Sequence, residues 1–257
     1  MAFLTISKEE DIAILTINRP PANALSSDMI RGISQVMDDL KKDDQVRAIL
    51  IHGEGRFFSA GADIKEFTEI KSGEEFAELA ARGQKAFERI ENYPKPVIAA
   101  IHGAALGGGL ELAMACHIRL VSEDAKLGLP ELQLGLIPGF AGTQRLPRLI
   151  GVAKAAELLL TSESITGVEA VQYGLANHAY PEDQLLKKAK EMVRIIANKS
   201  PASVKAVIEL LQYSKTDQFN EGVKQEAEKF AVVFDSNDGK EGIQAFIEKR
   251  KPIFTGK

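Results

Sequence analysis

One cysteine in 257 residues leaves this chain unable to close an internal disulfide. That residue, Cys116, lies in an apolar helical pattern, which reads as a buried thiol in a reducing compartment rather than a nucleophile. Basic residues are not concentrated anywhere. Lys, Arg, Asp and Glu are interspersed and the formal charge is −4, which argues against nucleic acid as a partner. No stretch reaches the roughly 18 consecutive apolar residues that a membrane-spanning helix needs, and Met1 to Glu10 shows no charged leader followed by a long apolar run. The expectation is a cytoplasmic protein without a membrane partner. The four histidines, His52, His102, His117 and His178, are scattered with no pair on one helix face, so no metal site is expected.

What remains is long enough to bury a full α/β core. Phe3–Ser7 and Ile12–Asn18 read as a strand pair, and Ser26 or Ser27 caps a helix with apolar positions Met29, Ile33, Val36, Met37 and Leu40. Val46–Ile51 and Pro96–Ile101 are buried strands with matching ends, Ile51-His52-Gly53 and Ile101-His102-Gly103. Each leads into a loop of small residues, Ser59-Ala60-Gly61-Ala62 and Gly107-Gly108-Gly109, and a helix covers Glu74–Glu91 between them. A unit used twice about fifty residues apart suggests stacked ββα-like turns. From Pro181 the pattern becomes helical: Asp183–Lys199, Ser203–Ser214, Phe219–Phe234 and Gly239–Lys251, with Pro201 and Gly239 as punctuation. These last helices cannot bury all their apolar faces against one another, which points to subunit contacts.

Several chemistries fail on spacing. No Lys-Ser or Lys-Thr follows the glycine triplet, and its spacing is not that of a dinucleotide loop. Ser59, in Phe58-Ser59-Ala60-Gly61, lacks the first glycine of a nucleophile elbow. Asp63 and Lys65 can be the acid and solvated base of a helix start. Two glutamates carry more. Glu111 follows the triplet where helix amides lack partners, and Glu131 comes twenty residues later, after Pro130. Taken singly, each could be an ordinary first-turn or turn acid. The apolar runs Val97–Leu106 and Leu112–Cys116 would, however, leave Glu111 poorly solvated, with a raised pKa suited to proton exchange near neutrality.

The runs Phe58–Lys65, Pro96–Gly103, Ala105–Ala113 and Pro130–Gly139, with Gly142-Thr143-Gln144-Arg145-Leu146 and Phe246–Lys251, closely resemble the enoyl-CoA hydratase (crotonase) family. The resemblance implies an α/β fold: a crotonase-like spiral of ββα turns over residues 1–200, carrying the acyl-CoA site, and a helical C-terminal trimerisation region over 201–257. It implies a homotrimer or dimer of trimers. The implied reaction is reversible addition of water to trans-2-enoyl-CoA, giving 3-hydroxyacyl-CoA in fatty-acid β-oxidation. No cofactor is implied, coenzyme A being part of the substrate. By the same resemblance Glu111 activates water for attack at Cβ and Glu131 delivers a proton to Cα. The amides of Ala62 and Gly108 form an oxyanion hole, and Gly139 supports the site. Ala60, Ala62, Asp63, Ile64, Lys65 and, from a neighbouring subunit, Lys249 meet coenzyme A. Phe140-Ala141 departs from the family's usual small residue and second glycine, so Phe140 is expected to narrow or re-aim the acyl pocket. Rival readings are enoyl-CoA isomerisation, acyl-CoA thioester hydrolysis and a secondary RNA-binding role.

Overall fold

The computed structural model describes residues 3–256. Strands β1 (Leu4–Glu9) and β2 (Ile12–Ile17) form an antiparallel hairpin, with Leu4 opposite Ile17 and Glu9 opposite Ile12. Helix α1 (Ser27–Lys42) follows; the Ser26 side chain accepts from Met29 N, and the apolar residues at helical spacing are buried. Next come β3 (Ala48–Gly53), the short α2 (Ile64–Phe67), α3 (Gly73–Glu91) and β4 (Val97–Ile101). Strand β5 (Ala104–Leu106) leads into α4 (Gly108–Ala115), then β6 (Ile118–Ser122) and β7 (Lys126–Gly128). Helices α5 (Gly142–Ile150), α6 (Val152–Thr161) and α7 (Gly167–Gln172) lead to β8 (His178–Tyr180). Four helices close the chain: α8 (Glu182–Ala197), α9 (Pro201–Tyr213), α10 (Phe219–Asp235) and α11 (Asn237–Ile247).

The main sheet has the order β1-β2-β3-β4-β6-β8 and is parallel from β2 onward. Parallel strands covered on both faces are largely apolar, and Ile12-Ala13-Ile14-Leu15-Thr16-Ile17 meets that demand except at half-buried Thr16, whose hydroxyl bonds His52. Ala13, Leu15 and Ile17 join the large core with α1, α3 and α4, while Ile12 and Ile14 face the other way, onto Leu185, Ala189 and Val193 of α8.

After each central strand the chain drops into a second, smaller layer. Strand β5 pairs in parallel with β7, and Ser59 bridges to Ala105, so successive turns of the spiral stack through Ser59, β5 and β7. The strand-loop-helix unit expected twice is thus present a third time, in β6 and β7. The matching glycines after β3 and β4 have a steric origin: a Cβ on Gly53 would lie 2.3 Å from Phe57 O, and one on Gly103 1.9 Å from Arg56 O. Gly239 stands, as expected, where the last helix begins. It belongs to the first turn of α11, with its N–H on Ser236 Oγ, and a Cβ there would stand 2.3 Å from Val233 O; it permits the tight junction with α10.

The C-terminal helices return to the body through Ile208, which is buried, and through Lys215, whose Nζ lies 2.8 Å from Glu91 at the end of α3. Much of their apolar surface stays outside. Phe219, Phe230, Val232 and Phe246 are all exposed, and no residue of α10 is buried.

Candidate active site

The three glycines between β5 and α4 are required for different reasons. Gly107 turns the chain with φ 50° and donates its N–H to Gly128 O; that backbone region is costly for a residue with a side chain. A Cβ on Gly108 would stand 3.4 Å from Ala62 N, so the amides of the two small-residue loops lie side by side. Gly109 packs onto the previous spiral turn, where a Cβ would meet Ser59 O at 2.4 Å. Among the described residues, no oxygen accepts from Ala62 N or Gly108 N.

Those amides open onto a cleft of about 700 Å³, its open mouth included. Ala60, Ala62, Ile64, Gly108, Glu111, Glu131 and Gly139 all line it. Its remaining wall is largely apolar and includes Phe67, Phe76, Leu134, Ile137 and Phe140. The flanking residues Leu134 and Ile137 are 59% and 72% exposed. Their sequence signal was present, two large apolar side chains just past Glu131. The Phe140 ring packs edge-on against Phe87 at 5.4 Å. It also fills the space beside Gly83, where a Cβ would stand 2.3 Å from the ring, and approaches Gly108.

Glu111, in the first turn of α4, is 1% exposed. Its Oε1 accepts from Phe140 N at 2.8 Å and from Gly142 N at 2.7 Å. Burial raises its pKa to about 7, helped by the charge of Glu131 and opposed by the two amides and Arg145. Glu131 opens a single 3₁₀ turn, Glu131–Leu134. Burial raises its pKa also, and its Oε2 is buried without a hydrogen-bond partner. Two carboxyl groups that resist ionisation therefore face one cavity, a common arrangement for passing protons.

The other sequence candidates divide. Asp63 caps α2 by accepting from Lys65 N and pairs with Arg19 at 2.5 Å, which holds its carboxyl below the usual range. Neither Asp63 nor Lys65 lines the cleft, and the Lys65 side chain is exposed. Lys249 stands on an exposed turn after α11, also outside the cleft lining. Ser59 is buried with its hydroxyl on Asn23 O. His52 bonds Thr16 Oγ1 and Gly53 O, and His102 bonds Gly55 O. Burial pushes the Cys116 thiol up to about 12. No cluster of three His, Cys, Asp or Glu side chains suited to a metal occurs among the described residues.

A pH-dependent stability follows from Glu111. Its native pKa of about 7 exceeds the ordinary 4.5, so the stability linked to its proton is complete below pH 4.5 and is lost as the pH rises to 7. Glu111→Gln keeps an acceptor oxygen for the two amides but cannot ionise. At pH 8 it should exceed the parent in stability by up to about 3 kcal/mol, with little difference at pH 4. Urea unfolding at both pH values checks this; an equal difference at both would show that the buried charge is not costly.

Comparison with known proteins gives the family of the chain. The Enoyl-CoA hydratase/isomerase family model matches residues 7–257, and the chain belongs to that family. It is 56% identical to a probable enoyl-CoA hydratase of Bacillus subtilis, over the full length of both. It is 41% identical to a short-chain-enoyl-CoA hydratase of Clostridium acetobutylicum, covering 96% of this chain and 95% of that one. Among solved structures, an enoyl-CoA hydratase of Bacillus anthracis superposes with a TM-score of 0.94 at 36% identity, covering 99% of both chains.

Proposed function

We propose that the cleft hydrates trans-2-enoyl-CoA to 3-hydroxyacyl-CoA, with Glu111 and Glu131 as the proton-handling pair. The observation that carries this reading is the pair itself: two carboxyls with raised pKa facing the same cavity as two amides without acceptors. A thioester oxygen seated on Ala62 N and Gly108 N would be stabilised as it becomes an enolate; one such donor is worth about 3 to 4 kcal/mol elsewhere. Glu111, ionised, takes a proton from water as oxygen bonds to Cβ. Glu131, protonated, supplies the proton to Cα. The state required is one proton shared between two acids, which repulsion between them favours. Gly139 supports the site through its carbonyl, which accepts from Gln84 Nε2 at 2.9 Å.

The adenine of coenzyme A is assigned to Ala60–Ile64, its phosphates to Lys65, and its 3′-phosphate to Lys249 of a neighbouring subunit. No added cofactor or metal is invoked. Residues 201–257 are assigned to a trimer or dimer of trimers; the support is the exposed Phe219, Phe230 and Phe246. Buried, unpaired Cys116 fits a reducing cytoplasm, and fatty-acid β-oxidation is the simplest setting. Isomerisation needs only one carboxylate to move a proton between carbons, so the second acid favours hydration. An RNA-binding role is disfavoured by the charge of −4.

The test is spectrophotometric loss of the conjugated thioester with crotonyl-CoA and longer 2-enoyl-CoA substrates. We expect hydration throughout, fastest for short chains, because the Phe140 ring takes up space in the cleft beside Gly108. Isomerised or hydrolysed product without hydration would overturn the assignment.

A further inference from the structure

Glu111 is held by a turn that is not self-supporting. Ala141, between the two donating amides, has φ 72°, a conformation that costs a residue with a Cβ roughly 1 to 2 kcal/mol. What braces the turn lies behind it. Arg145, 7% exposed, donates from Nη1 to Phe140 O at 2.8 Å and from Nε to Glu91 at 3.0 Å. The carbonyl it holds belongs to the peptide lying between the amides of Phe140 and Gly142. Glu91 in turn engages Lys215, beyond α9, with its other oxygen at 2.8 Å. Burial works against ionising Glu91, yet Lys215 and Arg145 hold its carboxyl below the usual range. A buried guanidinium is costly unless each contact is well made, and here its fork joins a carboxylate to the one peptide that orients both donors.

Resting on the hydration reading, we infer that Arg145, backed by Glu91, is a positioning residue that clamps the Phe140–Gly142 turn onto the Glu111 carboxyl. The clamp fixes one oxygen of Glu111 on two amides and leaves the other for the reacting water. The titratable and charged groups facing Arg145 are Glu91 from α3, Cys116 and His117 after α4, Arg119 from β6, Arg148 from α5 and Lys215 beyond α9. Around Glu111 they are Glu131 and Arg145.

Two substitutions separate a clamp from a mere charge. Arg145→Lys keeps the positive charge but cannot reach Glu91 and Phe140 O as a planar fork does. Glu91→Ala removes a negative charge together with the acceptor of Arg145 Nε, and by Coulomb's law alone the lost charge would lower the pKa of Glu111. Loss of the clamp has the opposite sign in both variants, because weakened amide hydrogen bonds favour the protonated acid. The readouts are an infrared pH titration of the Glu111 carboxyl band, assigned by its absence in Glu111→Gln, and the pH profile of kcat/KM with crotonyl-CoA.

The expected result is an upward shift of about one pH unit in both variants, with kcat at pH 7 reduced by about tenfold and KM within about threefold. An unmoved or lowered titration in the folded variants overturns the clamp, whatever happens to their stability. If Arg145→Lys fails to fold, Glu91→Ala alone decides. The infrared titration needs no turnover, so a parent protein that hydrates nothing would refute the proposed reaction while the clamp was still judged by the band.

Discussion

Glu131→Gln should abolish both hydration and exchange of the substrate's Cα proton with solvent, whereas Glu111→Gln should cripple hydration and leave some Cα exchange. The asymmetry follows from how the two acids are held. Glu111 has one oxygen committed to Phe140 N and Gly142 N, which suits a group that must grip a water at a fixed angle. Glu131 has a buried oxygen with no partner, poised for the substrate itself. Removing the base should slow hydration by roughly 10² to 10⁴-fold. Neither acid is assigned to the nucleotide, so both variants should bind acyl-CoA about as well as the parent. Measuring hydration, deuterium exchange at Cα and ligand affinity on the three proteins tests the division of labour. Full hydratase activity in Glu111→Gln would overturn it.

The adjacent glycines 108 and 109 should fail in unlike ways. The atoms nearest a Cβ on Gly108 are the edge of the Phe140 ring, at 3.1 Å, and Ala62 N, at 3.4 Å. Gly108→Val should therefore fold, with its methyl groups in the place of the thioester oxygen, and kcat should fall by about 10² to 10³-fold, the scale of one lost oxyanion donor. Gly109→Val faces the Ser59 backbone at 2.4 Å, where neither layer of the spiral can give way. It should lose about 1 to 3 kcal/mol or more of stability, or fail to assemble. Thermal unfolding and steady-state kinetics on both variants distinguish them. Near-normal turnover in Gly108→Val would move the oxyanion site elsewhere.

Local pattern was enough to read the long apolar strands and the capped helices, since β2, β3, β4, α1 and α3 each carry their own periodicity. It was not enough for β7, whose three residues Lys126–Gly128 are too few to show a period and pair only through contacts with β5 and Ile165. Residues 142–172 also went unassigned, because α5, α6 and α7 are short and broken by Gly151 and Ser162. Glu111 stood out through the apolar runs around it, and the small-residue loops through their matching strand ends; their roles came from the family resemblance alone. The bracing of Glu111 was not legible: Arg145 and Glu91 lie 54 positions apart, and nothing near either one announces the other. Asp63 was legible as the acid of a helix start, whereas its partner Arg19, 44 positions away, was not.

Gly83 gives the site a dependence that no active-site inspection would suggest. Mid-helix glycine costs about 1 kcal/mol relative to alanine, and α3 tolerates it because the Phe140 ring occupies the missing side chain's place. Positions 83 and 140 are consequently a coupled pair. Widening the cleft by trimming Phe140 alone would open a void against α3, and restoring a side chain at 83 alone would drive the ring toward the Gly108 amide. Any redesign of acyl preference has to move both residues together, one of them on a helix that contributes neither acid.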